Sequence, residues 1–316
     1  MKPELLVVAP IYAPTLAALE REFTVHKLWC APDADELIKV VAPNVRGVVT
    51  TGITGLERSR IDALPRLEII GCVGNPRGTI DLATAKARAI VVTNTPDSIA
   101  ASVADLGLGL LIGVLRRIAE CDRFVRAGKW AGSAPPAGRD LGGKTCGIIG
   151  LGSIGANIAR RAEAFGMSVC YHGPREKPGV PYRYYRDLAA MARECDCLIV
   201  ACPLTDATRN LVDERILDAL GADGFLVNVA RGPIVDGAAL IAALKAKRIA
   251  GAGLDVYWDE PRVSAELTHM DNVVLTPHIG STTREIREER GAKLLANLRA
   301  HFSGKPVPNP VGQLAK

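Results

Sequence analysis

The stretch Thr145-Cys-Gly-Ile-Ile-Gly150-Leu-Gly152-Ser-Ile-Gly155-Ala-Asn-Ile158 decides the fold. Thr145 to Ile149 is a short apolar run rich in β-branched residues, which predicts a buried strand. A helical pattern follows from Ala156 to Phe165, and Met167 to Tyr171 reads as a second strand. A GxGxxG pattern between a strand and a helix, with another strand beyond, is the context in which three glycines bind a dinucleotide. Gly150 allows the tight turn, Gly152 lets the backbone approach a pyrophosphate, and Gly155 lets helix and strand pack closely. Helix N-terminal N–H groups and the positive dipole end face the phosphates. The run Gly150, Leu151, Gly152, Ser153, Ile154 and Gly155 is therefore the candidate phosphate-binding turn.

The next strand bears on the choice of dinucleotide. An acid about twenty residues past the first glycine ordinarily takes the ribose hydroxyls. No acid occurs from Ala164 through Arg175, and the loop offers His172, Arg175 and Lys177 instead. A carboxylate repels a 2′-phosphate, whereas a guanidinium binds one bidentately. The expectation is NADPH over NADH, with His172 and Arg175 as cofactor-binding residues; the opposing reading has Glu176 serve the ribose.

The rest of the chain sets bounds. With 316 residues it is long enough for two domains. A hydrophobic content of 48% and a charged content of 23% are those of an ordinary globular protein. The net charge of +5 is mild, and aromatics at 4% give no base-stacking platform, so no nucleic-acid partner is expected. The eight cysteines mostly lie in apolar runs, and Cys195-Asp-Cys197 lacks zinc-site spacing, so no metal is expected. The most apolar helix, Ala104 to Leu115, is too short to span a bilayer, and the N-terminus reads as a strand start rather than a signal peptide. The expectation is a cytoplasmic protein with reduced thiols and no membrane partner.

Residues 1–98 alternate apolar runs with helical patterns: strands at Leu5–Ala9, Gly47–Thr50, Leu67–Gly71 and Ile90–Val92, helices at Thr15–Glu22, Asp33–Val41 and Leu82–Arg88. One long helix is expected from Ser98 to Ala127, started by Thr95-Pro96-Asp97, with Gly107, Gly109 and Gly113 allowing close approach of a neighbour. Six strands then follow, Thr145–Ile149, Ser168–Tyr171, Cys197–Ala201, Gly224–Val229, Gly251–Asp255 and Val273–Leu275, and a last helix spans Ser281–His301. The expected fold is α/β, two doubly wound parallel-sheet domains. Residues 99–283 form a Rossmann cofactor domain. Residues 1–98 plus 284–316 form a discontinuous flavodoxin-like substrate domain.

Three stretches past strand ends look catalytic. Asn228-Val-Ala-Arg231-Gly-Pro supplies an arginine, Asp259-Glu260-Pro an acid, and Pro277-His278-Ile-Gly280 a histidine. With the glycine turn, Ala201-Cys-Pro203-Leu-Thr and Gly253-Leu-Asp255-Val, they make residues 92–283 resemble the D-2-hydroxyacid dehydrogenase family. Within it the likeness is greatest to the NADP-dependent glyoxylate/hydroxypyruvate and hydroxyphenylpyruvate reductases. The resemblance implies reduction of a 2-keto acid to the D-2-hydroxy acid. His278 would be the proton donor, Glu260 its hydrogen-bonding partner, and Arg231 the holder of the substrate carboxylate and keto oxygen. It implies further that Cys202, Pro203, Val229, Ala230, Asp255 and Gly280 line the cofactor site, and that Val73 and Gly74 present backbone N–H groups to the substrate carboxylate. Asn75-Pro76-Arg77-Gly78 departs from the family pattern, so Arg77 either reaches the substrate or is solvated. The family also implies a homodimer through the cofactor domain, in which Trp130 either reaches the partner's active site or anchors its own loop. Within the class, an aromatic 2-keto acid such as hydroxyphenylpyruvate remains the alternative substrate. Outside it stand the corepressors that use this fold as a dinucleotide-sensing module.

Overall fold

The structure is a computed structural model that describes residues 2–76, 78–96 and 99–311. Arg77, and Asp97 and Ser98 of the expected helix start, lie outside the described residues. The chain divides into two compact units, Met1–Ser98 with Arg284–Lys316, and Ile99–Thr283.

The first unit runs β1 (Glu4–Val7), α1 (Ala13–Glu22), β2 (Thr24–Lys27), α2 (Ala34–Val41), β3 (Val45–Thr51), α3 (Arg58–Asp62), β4 (Ile69–Val73), α4 (Leu82–Ala87) and β5 (Val91–Thr93). Its sheet has the order β2-β1-β3-β4-β5, and every pairing is parallel. That is the flavodoxin-like winding. Alternation along each strand feeds two cores. Leu6, Val48, Ile70 and Val92 pack with Ile38, Val41 and Ile61 of α2 and α3, while Leu5, Val7, Val49 and Ile69 pack on the other face with Leu19 of α1.

The second unit opens with α5 (Ala100–Leu115) and α6 (Ile118–Arg126). The single helix expected over Ser98–Ala127 is thus two. Arg117 adopts a left-handed conformation, φ 53°, and the chain returning from the loop covers the end of α5. The Arg139 N–H donates to the Leu115 carbonyl (2.9 Å), so a neighbouring segment satisfies that terminal acceptor. Of the three glycines in α5, Gly107 and Gly113 face Val229 and Val274 of the sheet region, while Gly109 faces open space.

The sheet of this unit follows: β6 (Thr145–Ile149), α7 (Ser153–Ala164), β7 (Ser168–His172), β8 (Arg183–Tyr185), α8 (Leu188–Arg193), β9 (Cys197–Val200), α9 (Glu214–Leu220), β10 (Phe225–Asn228), α10 (Gly237–Lys245), β11 (Gly251–Leu254), α11 (Ala265–Thr268) and β12 (Val273–Leu275). The order is β12-β11-β10-β9-β6-β7-β8, parallel throughout. This is the dinucleotide-binding order with one added edge strand. Apolar runs predict six of these strands; β8 makes seven among the described residues. Cys146, Ile148, Cys197 and Ile199 turn to the α5 and α7 side, and Ile149, Leu198, Val200 and Leu226 to the α8, α9 and α10 side. Both faces of the sheet are covered, as an all-parallel sheet requires. The winding reverses between β6 and β9, and the crevice outside the strand ends at such a switch point is where open α/β sheets bind ligands.

Finally α12 (Arg284–Phe302) returns to the first unit, where Leu294, Leu295 and Leu298 complete the α1 side of its core. Gly71 of β4 makes room for it, since a Cβ there would stand 2.6 Å from Leu294 Cδ1.

Candidate active site

The glycine turn joins β6 to α7. Gly150 has φ +97°, and a Cβ on it would also lie 2.6 Å from Cys202 Cα. At Gly155 a Cβ would come 2.2 Å from the Gly150 carbonyl oxygen, so helix and turn touch through backbone alone. Gly152 differs: a Cβ there would meet nothing within 4 Å. No side chain caps α7 at Gly152, which leaves its first-turn N–H groups facing that open space with the dipole end behind them. These features fit a pyrophosphate. Leu151 is buried, Ile154 half-buried and Ser153 exposed, so the turn offers backbone rather than side chains. Cys202 and Pro203 follow β9 on the opposite side of the switch point. Burial pushes the Cys202 thiol up to about 11, so no thiolate faces the phosphates at neutral pH.

Beyond β7 the loop carries its basic residues in three different settings. His172 ends the strand, and its Nδ1 lies 3.0 Å from the Tyr185 carbonyl oxygen. A carbonyl only accepts, so Nδ1 carries the hydrogen and a neutral ring presents Nε2 as an acceptor. Arg175 is exposed and has no ion-pair partner among the described residues. The Lys177 ammonium turns inward and donates to the Leu151 carbonyl (2.5 Å).

The three strand-end stretches meet through their backbones. A Cβ on Gly232, just past Arg231, would lie 2.1 Å from the Tyr257 carbonyl oxygen. Trp258 covers Gly237 and donates its indole N–H to the Val235 carbonyl (2.7 Å). Tyr257 donates its hydroxyl to the Thr276 carbonyl (2.9 Å), tying the β11 end to the β12 end. Burial, with Asp255 nearby, pushes that phenol up to about 12, so it remains a donor. The loops after β10, β11 and β12 therefore form one packed shelf.

On this shelf His278 Nδ1 lies 2.7 Å from Glu260 Oε2, with the two side chains 38% and 34% exposed. An ionised carboxylate only accepts, so Nδ1 donates and Nε2 is left outside the bond. The other oxygen, Glu260 Oε1, accepts the Tyr257 N–H (3.0 Å). Arg231 is half-buried, donates to the Ala230 carbonyl, and forms no ion pair among the described residues. It does not bond to Glu260 or His278. Asn228 shapes its loop by accepting the Ala230 N–H and donating to the Arg231 carbonyl, 3.0 Å each. Val229 and Ala230 are buried between them and the strand.

His278 is held in the left-handed region, φ 54°, unusual for a residue other than glycine. The cause is Asp255, 1% exposed, whose Oδ1 accepts the Thr276 hydroxyl (2.6 Å) and the Ile279 N–H (2.8 Å), and whose Oδ2 accepts the Gly280 N–H (2.9 Å). Both carboxylate oxygens are thus engaged by the turn that carries the histidine. Tyr257 and Thr276 were not singled out from sequence, because their roles run through backbone groups that only the fold brings near.

Val73 ends β4 in the first unit, and Gly74 follows with φ +88°. The Gly74 N–H donates to the hydroxyl of buried Thr95 (2.8 Å). Trp130 is 67% exposed. Among the described residues no group of His, Cys, Asp and Glu side chains could hold a metal ion, and no helix is long and apolar enough to cross a membrane.

The sequence model of the D-isomer specific 2-hydroxyacid dehydrogenase NAD-binding domain matches residues 108–280. The chain belongs to that family. The chain is 44% identical to glyoxylate/hydroxypyruvate reductase A HPR2 of Arabidopsis thaliana, covering 97% of this chain and 98% of that protein. It is 41% identical to the hydroxyphenylpyruvate reductase of Plectranthus scutellarioides over the same shares of the two chains. Among solved structures it resembles the NADPH-dependent glyoxylate/hydroxypyruvate reductase of Sinorhizobium meliloti in complex with NADP and malonate, with a TM-score of 0.81, 38% identity, and 99% and 97% of the two chains covered. The second unit is accordingly an NAD(P)-binding domain.

Replacing Asp255 by Asn sets an amide N–H₂ against hydroxyl and N–H donors. The expected loss of stability is about 1–3 kcal/mol, read from chemical denaturation. An unchanged denaturation midpoint would remove Asp255 as the holder of the histidine turn.

Proposed function

We propose that this protein reduces a 2-keto acid, glyoxylate or hydroxypyruvate, to the D-2-hydroxy acid with NADPH, with His278 as the proton donor. The observation that carries the reading is the 2.7 Å bond between His278 Nδ1 and Glu260 in a family of 2-hydroxyacid dehydrogenases. When bound, the nicotinamide supplies the hydride. The residues supply the rest. Glu260 orients the imidazole so that Nε2 can give a proton to the developing alkoxide. Arg231, with no ion pair among the described residues, offers its planar fork to the substrate carboxylate and polarises the keto oxygen. Asp255 acts through the turn it holds, and Val73 and Gly74 lie at the strand end of the substrate domain.

The named activities of relatives from Arabidopsis and Sinorhizobium support the small keto acids. Hydroxyphenylpyruvate is the second reading, favoured by the 41% identity to the Plectranthus reductase. NADPH is supported by Arg175, exposed and with no ion-pair partner among the described residues, and by the relative solved with NADP. A cytoplasmic homodimer completes the proposal. No residue of α6 is buried, and it exposes Ile118 and Val125 just ahead of Trp130. Sedimentation at micromolar concentration reads that state, and a monomer would refute it.

His278→Ala should lower kcat by about 10²–10⁴ with glyoxylate and NADPH while cofactor affinity holds. Near wild-type turnover would overturn the proton-donor assignment. Arg175→Ala should weaken NADPH about tenfold with little change for NADH, since a charged hydrogen bond carries about 1.5–3 kcal/mol. A cofactor preference unmoved by the substitution would count against NADPH. A panel of 2-keto acids ranked by kcat/KM separates the two substrate readings.

A further inference from the structure

Asn75 directly follows Val73 and Gly74 at the end of β4, and it opens the stretch that departs from the family pattern. It is exposed, yet its backbone and its side chain are both held. A Cβ on Gly52, just past β3, would stand 2.4 Å from the Asn75 carbonyl oxygen, so the two strand ends touch through backbone. Gly74 gives its N–H to the Thr95 hydroxyl and accepts the Thr95 N–H on its carbonyl (3.3 Å). Next to that clamp, Asn94 donates its side-chain N–H to Asn75 Oδ1 (2.7 Å). Asn94 is fixed in turn by a ring of three asparagines. Its N–H donates to the Asn309 carbonyl (3.1 Å), the Asn309 N–H to Asn297 Oδ1 (3.0 Å), and Asn297 Nδ2 back to the Asn94 carbonyl (3.1 Å). Asn297 lies on α12 and is 0% exposed. A buried amide is costly unless its groups are met, and this one is met entirely by the segments that carry Asn94 and Asn309.

With Oδ1 engaged, the Asn75 side chain is left with its NH2, which has no acceptor among the described residues. An NH2 group only donates, so it matches an oxygen lone pair and not a methyl or phenyl edge. We propose that Asn75 is a specificity-determining residue whose NH2 donates to the C3 hydroxyl of a 3-hydroxy-2-keto acid, and that Asn94 is a positioning residue which holds that amide through Asn75 Oδ1. The inference rests on the reading of this protein as a 2-keto acid reductase with its substrate at the end of β4, and deepens it by naming the preferred member of the class. Glyoxylate has no C3 and pyruvate carries a methyl there, so neither offers the donor an oxygen. Hydroxypyruvate does. The amide is already oriented, so the bond forms without the entropic cost of ordering a free side chain. A substrate with a methyl in that place strips water from the NH2 and returns no acceptor, which is the stronger part of the discrimination.

The test is the ratio of kcat/KM for hydroxypyruvate to that for pyruvate, two acids that differ by one hydroxyl, measured on the full-length protein with NADPH and NADH both supplied. The wild type should favour hydroxypyruvate. Asn75→Ala and Asn75→Leu, the second filling a similar space with no donor, should each lower the ratio about three- to tenfold, the size of a lost neutral hydrogen bond. Asn94→Ala keeps its own backbone bonds to Asn309 and Asn297 and should lower the ratio in the same direction by about two- to threefold. A merely structural role would lower both substrates alike and leave the ratio fixed. A fixed or rising ratio in the Asn75 variants, or a wild type indifferent to the hydroxyl, overturns the proposal while the reductase reading stands. A wild type that turns over neither acid nor glyoxylate refutes the reductase reading, and the present inference with it.

Discussion

The carboxylate of Asp255 is the interaction on which the reactive end of the molecule depends. A buried acid in an apolar sheet is costly unless both of its oxygens accept hydrogen bonds. Here a hydroxyl and two backbone N–H groups meet it, all from the turn between Thr276 and Gly280. In return that turn is fixed in a shape that places His278 at a positive φ, which the residue would not adopt unaided. The histidine is oriented twice, from behind through its own backbone and from the side through Glu260. Glu260 is itself held by the Tyr257 N–H, and the Tyr257 hydroxyl returns to the Thr276 carbonyl. The pair belongs to a closed circuit of hydrogen bonds joining two strand ends, not to two independent side chains.

That circuit works because the backbone comes so close. Gly232 lets the Arg231 loop lie directly on the Tyr257 carbonyl, and Gly237 lets the Trp258 ring cover the start of α10. Neither contact would survive a Cβ without displacement. The same device recurs at the other end of the cofactor site, where Gly155 lies against the Gly150 carbonyl. Parallel strands bring the loops to one end of the sheet, and glycines remove the last ångströms between them.

Much of this could be read from residues. The buried strands are apolar runs, the glycine turn carries its own geometry, and Arg231, Glu260 and His278 stand out as polar residues just past apolar runs. What escaped the reading has physical reasons. β2 is Thr-Val-His-Lys and β8 is Arg-Tyr-Tyr, edge strands whose half-solvated faces leave too little apolar pattern to register. The break at Arg117 has no proline or glycine to announce it, because a distant segment supplies it through the Arg139 N–H. That Asp255 anchors a turn was not legible, because the groups it holds lie more than twenty residues away in the chain.

The two ends of the cofactor domain are therefore built on different terms. At the histidine end, the carboxylates of Asp255 and Glu260 are paired inside the protein, and a substitution of either must break a bond before it can change an outcome. At the β7 loop the pairing is incomplete: Arg175 has no ion-pair partner among the described residues, and the Lys177 ammonium makes one hydrogen bond there. A substitution in the loop therefore leaves the hydrogen bonds around His278 in place. The fold closes its hydrogen bonds on themselves around Asp255 and Glu260, and leaves them open at the β7 loop.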